Sequence, residues 1–232
     1  MTVLADLSVL DYVAFALLFT AWLGYEGLST RAAARGRNLA AHMKIWRDRW
    51  MEAVLERDNR ILDVQIIRSL VGNSSFLAST SIFVIGGLAA VLGASAEIVP
   101  LLNQFDYFAT TSQNQFGMKV LLLILIYMHA FFRLAWSMRL HNNAAVVLGA
   151  IPLPGNPATE VEAASRARIT ARLVTLAARH YNAGTHSYYF GLAAVAWFIH
   201  PVALMATTAW VVAILYRREF LSRAHAVLNP DG

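Results

Sequence analysis

The chain contains no cysteine. Disulfides, thiolate metal sites and cysteine nucleophiles are therefore excluded, while the redox compartment stays open. Charge is also scarce: 14% of residues are Asp, Glu, Lys or Arg, against ~25% in soluble domains. Lysine is nearly absent, so the net charge of +5 comes from 17 Arg and 2 Lys against 14 acids. There is no repeat of fixed period and no low-complexity tail. A Gly-rich phosphate loop, a Ser-His-Asp order and a pair of catalytic acids are missing too, which points away from an enzyme. The start, MTVLADLSVLDY, has no basic region before its apolar run, so it reads as leading into a retained span rather than a signal peptide.

What the chain does have is apolar sequence, with 58% of its 232 residues hydrophobic. That balance predicts an integral membrane protein. A bilayer core of roughly 30 Å takes about 20 residues as helix. Four segments qualify as spans: about 8–28, 69–93, 118–138 and 188–216, the last interrupted by Pro201. All should be helical, because a lone strand leaves its backbone groups unpaired in lipid. The predicted fold is an all-α membrane bundle of four transmembrane helices, one domain over 1–232, with cytoplasmic amphipathic helices over about 38–65 and 159–183.

Basic residues set the expected orientation. No Lys or Arg precedes the first span, and none lies in 97–117. The 29–65 connection carries Arg31, Arg35, Arg37, Lys44, Arg47, Arg49, Arg57 and Arg60, and 139–187 carries Arg139, Arg166, Arg168, Arg172 and Arg179. This alternation puts the N-terminus outside and both long connections in the cytoplasm. One feature conflicts, because a single kinked fourth span, the favoured reading, strands Arg217, Arg218 and Arg223 outside. A hairpin bent at Pro201 removes the conflict.

Both connections carry helical patterns. In 38–56, Leu39, Met43, Trp46, Trp50 and Val54 recur at threes and fours, an amphipathic stripe. It fits either a helix lying flat in the headgroup layer, or one packed on its neighbours or continuous with span two. In 159–183, Thr159 and Glu162 have capping-box spacing, and Gly184 is a plausible stop.

The second span holds the least expected composition. Its first half carries Asn73, Ser74, Ser75, Ser79, Thr80 and Ser81. On a helix, Arg68, Gly72, Ser75, Ser79, Gly86 and Gly93 fall near one line. Small residues in such a line let another backbone approach closely, within the chain or from a second copy. Ser and Thr also bond to the carbonyl one turn back and so are tolerable in lipid. The functional alternative is a hydrated path lined by Asn73, Ser75 and Ser79.

The stretch VQIIRSLVGNSSFLASTSI resembles the signature of domain of unknown function family 599, membrane proteins of bacteria and plants. Val64, Gln65, Arg68, Ser74 or Ser75, Ala78, Ser79 and Thr80 carry the likeness. Gly184, Tyr188, Tyr189, Trp197 and Pro201 resemble later landmarks of that family, although His200 stands where a glycine is expected before the proline. The resemblance implies a multi-span membrane fold and supplies no activity.

Two further constellations invite chemistry. His129 and His200 lie near the middle of spans three and four, and facing imidazoles can ligate a haem iron. The plainer reading pairs His129 with a Ser or Tyr and leaves His200 beside a kink. At the cytoplasmic edge, Glu26, Asp63, Arg68, Arg133 and Arg139 could form one charge layer: a gate, snorkelling arginines, or ion pairs, chiefly of Asp63 with an Arg. His141, His180 and His186 follow no metal pattern and read as surface histidines. Without a nucleic-acid fold, the arginine clusters fit anionic lipid headgroups. Three functions follow. The first is a non-enzymatic module that forms homo-oligomers or joins a membrane complex, in a bacterial inner membrane. The second is a permeation pathway lined by span two. The third is haem binding through His129 and His200.

Overall fold

A computed structural model describes residues 7–105 and 112–228. The first six residues, and with them the expected lead into a retained span, lie outside the described part. Among the described residues there is helix and no strand. The helices are α1 (Val9–Ala34), α2 (Leu39–Leu55), α3 (Ile61–Gly93), α4 (Ser95–Leu102), α5 (Gln113–Gly149), α6 (Glu160–Val195), α7 (Pro201–Phe220) and α8 (Arg223–Leu228). Three of them, α1, α3 and α5, are long and apolar enough to cross a membrane. Three of the four expected spans thus have a helix of this kind, and a fourth is not clearly present among the described residues. The segment 188–216 is not one helix but the end of α6, a 3-10 turn at Ala196–Phe198 and α7.

The break has a local cause. Proline offers no N–H and disfavours helix at the residue before it, so Pro201 opens α7 at a position where proline is well tolerated. The Val202 N–H donates to His200 Nδ1 at 3.1 Å, so His200 acts as a cap. α7 then runs back along α6. Thr207 Oγ1 donates to the Ala193 carbonyl at 3.1 Å, and Arg218 donates to the Tyr189 hydroxyl while lying over that ring. The hairpin reading therefore replaces the kinked span, and the basic end of α7 returns along α6, which removes the charge conflict.

Other boundaries also moved. α5 has 37 residues, roughly 55 Å at 1.5 Å per residue, so it overshoots the apolar run 118–138 by more than two turns at its C-terminal end. α6 continues through Gly184, because one glycine costs a helix only about 1 kcal/mol. The buried positions Ser187, Phe190, Ala194 and Trp197 continue its helical stripe. Thr159 does not form the expected capping box. Asn156 caps the 3-10 turn Pro157–Thr159 instead, and the Thr159 hydroxyl donates to the Asn156 carbonyl. α2 and α3 are separate helices, and the Asn59 side chain accepts the Ile61 N–H at the start of α3.

The chain divides into two compact units. The first comprises the described parts of Met1–Thr30, Ser79–Phe131 and Gly184–Arg218. Its core joins Leu18, Trp22, Ile126, Phe190, Trp197 and Leu204. Gly191 permits a close helix approach there, since a Cβ at that position would lie 3.0 Å from the Tyr127 ring. Within this unit the buried Asp11 accepts from Trp197 Nε1 at 2.7 Å, and the buried Lys119 lies 5.7 Å from the centre of the Trp197 ring.

The second unit comprises Arg31–Ala78, Phe132–Ala183 and the described part of Glu219–Gly232. Its core joins Met51, Val54, Ile67, Ala144, Leu148 and Val174. Sixteen of the 19 Lys and Arg residues fall in these segments. α2 is packed in this unit through Ala41, His42, Met51 and Val54. Asn38 caps it, accepting from the Ala41 N–H and donating to Glu219 at 3.1 Å. Trp46 stays exposed under Arg49.

Candidate functional site

The hydroxyls of α3 divide between two faces. On the buried face, Ser74 lies 3.3 Å from the Ser137 hydroxyl, which itself donates to the Ala177 carbonyl at 2.8 Å. Ser81 meets the Tyr188 hydroxyl at 2.8 Å. The other face carries the small-residue line. Gly72, Asn73, Ser79 and Gly86 are exposed and Ser75 is half-buried. A Cβ built at Gly72, Gly86 or Gly93 would meet no atom within 4 Å. Among the described residues, then, no other helix is pressed against these three glycines. Of the most apolar window of α3 only 11% is buried, against 28% in α1 and 44% in α5.

The members of the expected charge layer take up different environments. Asp63 is fully buried and pairs with Arg57 at 2.6 Å, outside the expected group, while accepting from Trp50 Nε1 at 2.7 Å. Arg139 is exposed and lies over the Trp136 ring. Arg68 is exposed, and Glu26 on α1 and Arg133 on α5 are half-buried.

The two mid-span histidines are engaged apart. His129 Nδ1 is 3.0 Å from the Ser187 hydroxyl, and its ring meets Trp22 edge-on. His200 caps α7. Thirteen residues of nearly continuous helix separate Ser187 from His200, roughly 20 Å at 1.5 Å per residue. One iron cannot be held by both, and the haem reading is corrected on that ground.

A different set of polar side chains does converge. In the second unit a pocket of about 150 Å³ is lined by Arg47 of α2, Leu70 and Asn73 of α3, His141 of α5, and Val174, Ala178, Tyr181 and Asn182 of α6. His141 is 2% exposed, and neither ring nitrogen has a hydrogen-bond partner. It lies beyond the apolar stretch 118–138. Burial depresses its imidazole from the ordinary 6.5 to about 4; Arg47 adds in the same direction, and the Ser137 carbonyl one turn back opposes. The ring is therefore neutral at pH 7. Burial also works against the charge of half-buried Arg47, with the adjacent Asp48 supporting it. No carboxylate lines the pocket.

Residues 13–224 match the model of a family described as "Protein of unknown function, DUF599". The chain belongs to this family. No curated protein and no solved structure matches it. The family resemblance seen in the sequence thus extends over nearly the whole chain.

For this DUF599 member, the pocket is what sequence reading missed. His141 had the look of a surface residue at the end of a span. The signal was there in the spacing: Leu134, Ser137, His141, Ala144 and Leu148 recur at threes and fours, and all five are buried. Lys119 escaped as well, a lone buried cation in an apolar run.

Proposed function

We propose that the chain is a non-enzymatic membrane module that associates with copies of itself through the small-residue face of α3. One observation carries this reading: among the described residues Gly72, Gly86 and Gly93 face open space, and Ser79 between them is exposed. Membrane helices associate by close van der Waals packing, and small residues permit it. Phe76 and Phe83, both largely exposed, flank the line and offer rings to pack beside a partner backbone. The apolar helices belong in a bilayer, and the arginine-rich second unit suits an anionic, cytoplasmic headgroup surface. That orientation puts the N-terminus outside and the C-terminus inside a bacterial inner membrane.

The test is the mass of the particle in lipid nanodiscs. The wild type should contain at least two chains, and Gly86→Leu should shift it to one. A wild-type particle of single-chain mass sinks the reading. A second reading, permeation, rests on Asn73, which is exposed and whose side chain makes no hydrogen bond among the described residues. Ion flux into liposomes that Asn73→Leu abolishes would favour it.

A further inference from the structure

The pocket among α2, α3, α5 and α6 combines features that a merely structural void lacks. Arg47, Asn73, His141 and Asn182 all line it; among the described residues the side chains of Arg47, Asn73 and Asn182 make no hydrogen bond, and the buried ring of His141 has nothing but the Ser137 carbonyl one turn back on its own helix. Buried polar groups in folded proteins are ordinarily satisfied. A half-buried guanidinium whose carboxylate support comes from Asp48, itself paired with Lys44, is especially demanding, because its charge is partly desolvated. Every one of these side chains can donate: the guanidinium five ways, each carboxamide twice, and the neutral imidazole once. The lining holds no acid to compete for them.

We infer that this pocket binds a phosphate-type oxyanion, with Arg47 as its charged anchor and Asn73, His141 and Asn182 as donors around it. Size favours a small group. At about 150 Å³ the space falls below the roughly 300–1,000 Å³ of pockets that enclose drug-sized molecules. Geometry favours a tetrahedral anion over a carboxylate. Donors arrive from four different helices, whereas a planar carboxylate is met by a single arginine fork. The shared chemistry is a phosphate group, and its source is either free phosphate or the headgroup of an anionic lipid.

The experiment uses the full chain in nanodiscs of phosphatidylcholine. In one arm inorganic phosphate is titrated and binding is read by calorimetry. In the other, a fifth of the lipid is replaced by phosphatidic acid, and retained lipid is counted by native mass spectrometry. Arg47→Gln should weaken binding at least tenfold, and Asn182→Ala should weaken it several-fold. Arg172→Gln, an exposed charge outside the pocket, should leave it unchanged. Saturable phosphate binding with this pattern establishes the site with free anion as ligand. Retention of phosphatidic acid alone, with the same dependence on Arg47, establishes it with lipid as the source. If neither probe binds, or if folded Arg47→Gln and Asn182→Ala bind both as well as the wild type, the assignment is overturned.

Discussion

Asp63 offers the most direct test of how the second unit is held together. It is fully buried in the first turn of α3, where it accepts the Trp50 indole N–H and pairs with Arg57. Asp63→Ala removes both. A hydrogen bond to a charged group contributes about 1.5–3 kcal/mol. The ion pair adds less, because the Arg57 side chain is 39% exposed and exposed pairs contribute ~0–1 kcal/mol. One term runs the other way: Asp63 Oδ2 is buried without a partner, and the substitution relieves it. The net expectation is a loss of roughly 2–3 kcal/mol. For a chain of this size that is a drop of roughly 4–12 °C in melting temperature. Thermal unfolding of the detergent-purified protein, followed by tryptophan fluorescence, reads this directly. Arg57→Ala leaves the fully buried carboxylate without its charge partner and should cost more than the ~0–1 kcal/mol of an exposed pair. Asp63→Asn should cost less than Asp63→Ala, because it keeps an acceptor for Trp50. An Asp63→Ala melting curve that overlays the wild type would falsify this account of the α2–α3 junction.

Three further outcomes follow from the same contacts. Trp197→Phe deletes the indole N–H that meets buried Asp11, which should lower stability by about 1.5–3 kcal/mol; an unchanged melting temperature would refute that contribution. Gly191→Val forces a branched side chain against the Tyr127 ring, an overpacking cost of about 1–3 kcal/mol that Tyr127→Leu should relieve in the double variant. His141→Leu replaces a buried ring with two unpartnered nitrogens and should be neutral or stabilising at pH 7. The ring titrates near 4 when folded and near 6.5 when unfolded, so the unfolded chain takes up the proton first. Stability should therefore fall as pH drops from about 6.5 to about 4, by roughly 3 kcal/mol, with Arg47 and Tyr181 the other charged or titratable groups lining that pocket. A melting-temperature series at matched pH should show this acid sensitivity reduced in His141→Leu; equal slopes in the two proteins would refute it.

Much of the architecture was legible because hydrophobic length is a strong signal. The apolar cores of α1, α3 and α5 stand out from composition alone, and arginine placement separated the two kinds of segment. The ends of helices were harder to read. α5 and α6 run well past their apolar stretches because tertiary packing, not hydropathy, sustains them, and the buried faces there mix Ala, Ser and His. The hairpin at Pro201 was visible as an alternative. What decides it is the pairing of Thr207 with Ala193, a contact no local pattern announces. The small residues of α3 could be placed on one line from their spacing, but whether that line faces its own chain or open space is set by tertiary packing, which the spacing does not carry. The pocket around His141 needed four helices to be placed first, so its members looked unrelated along the chain.

In the proposed assembly the small-residue face of α3 meets a second copy. The absence of cysteine makes one measurement unusually clean, because any introduced thiol is unique. Ser79→Cys and Gly86→Cys should form a disulfide-linked dimer under mild oxidation in native membranes. Leu125→Cys, on an exposed position of α5, should not. Cross-linking at 79 and 86 no greater than at 125 would contradict the account.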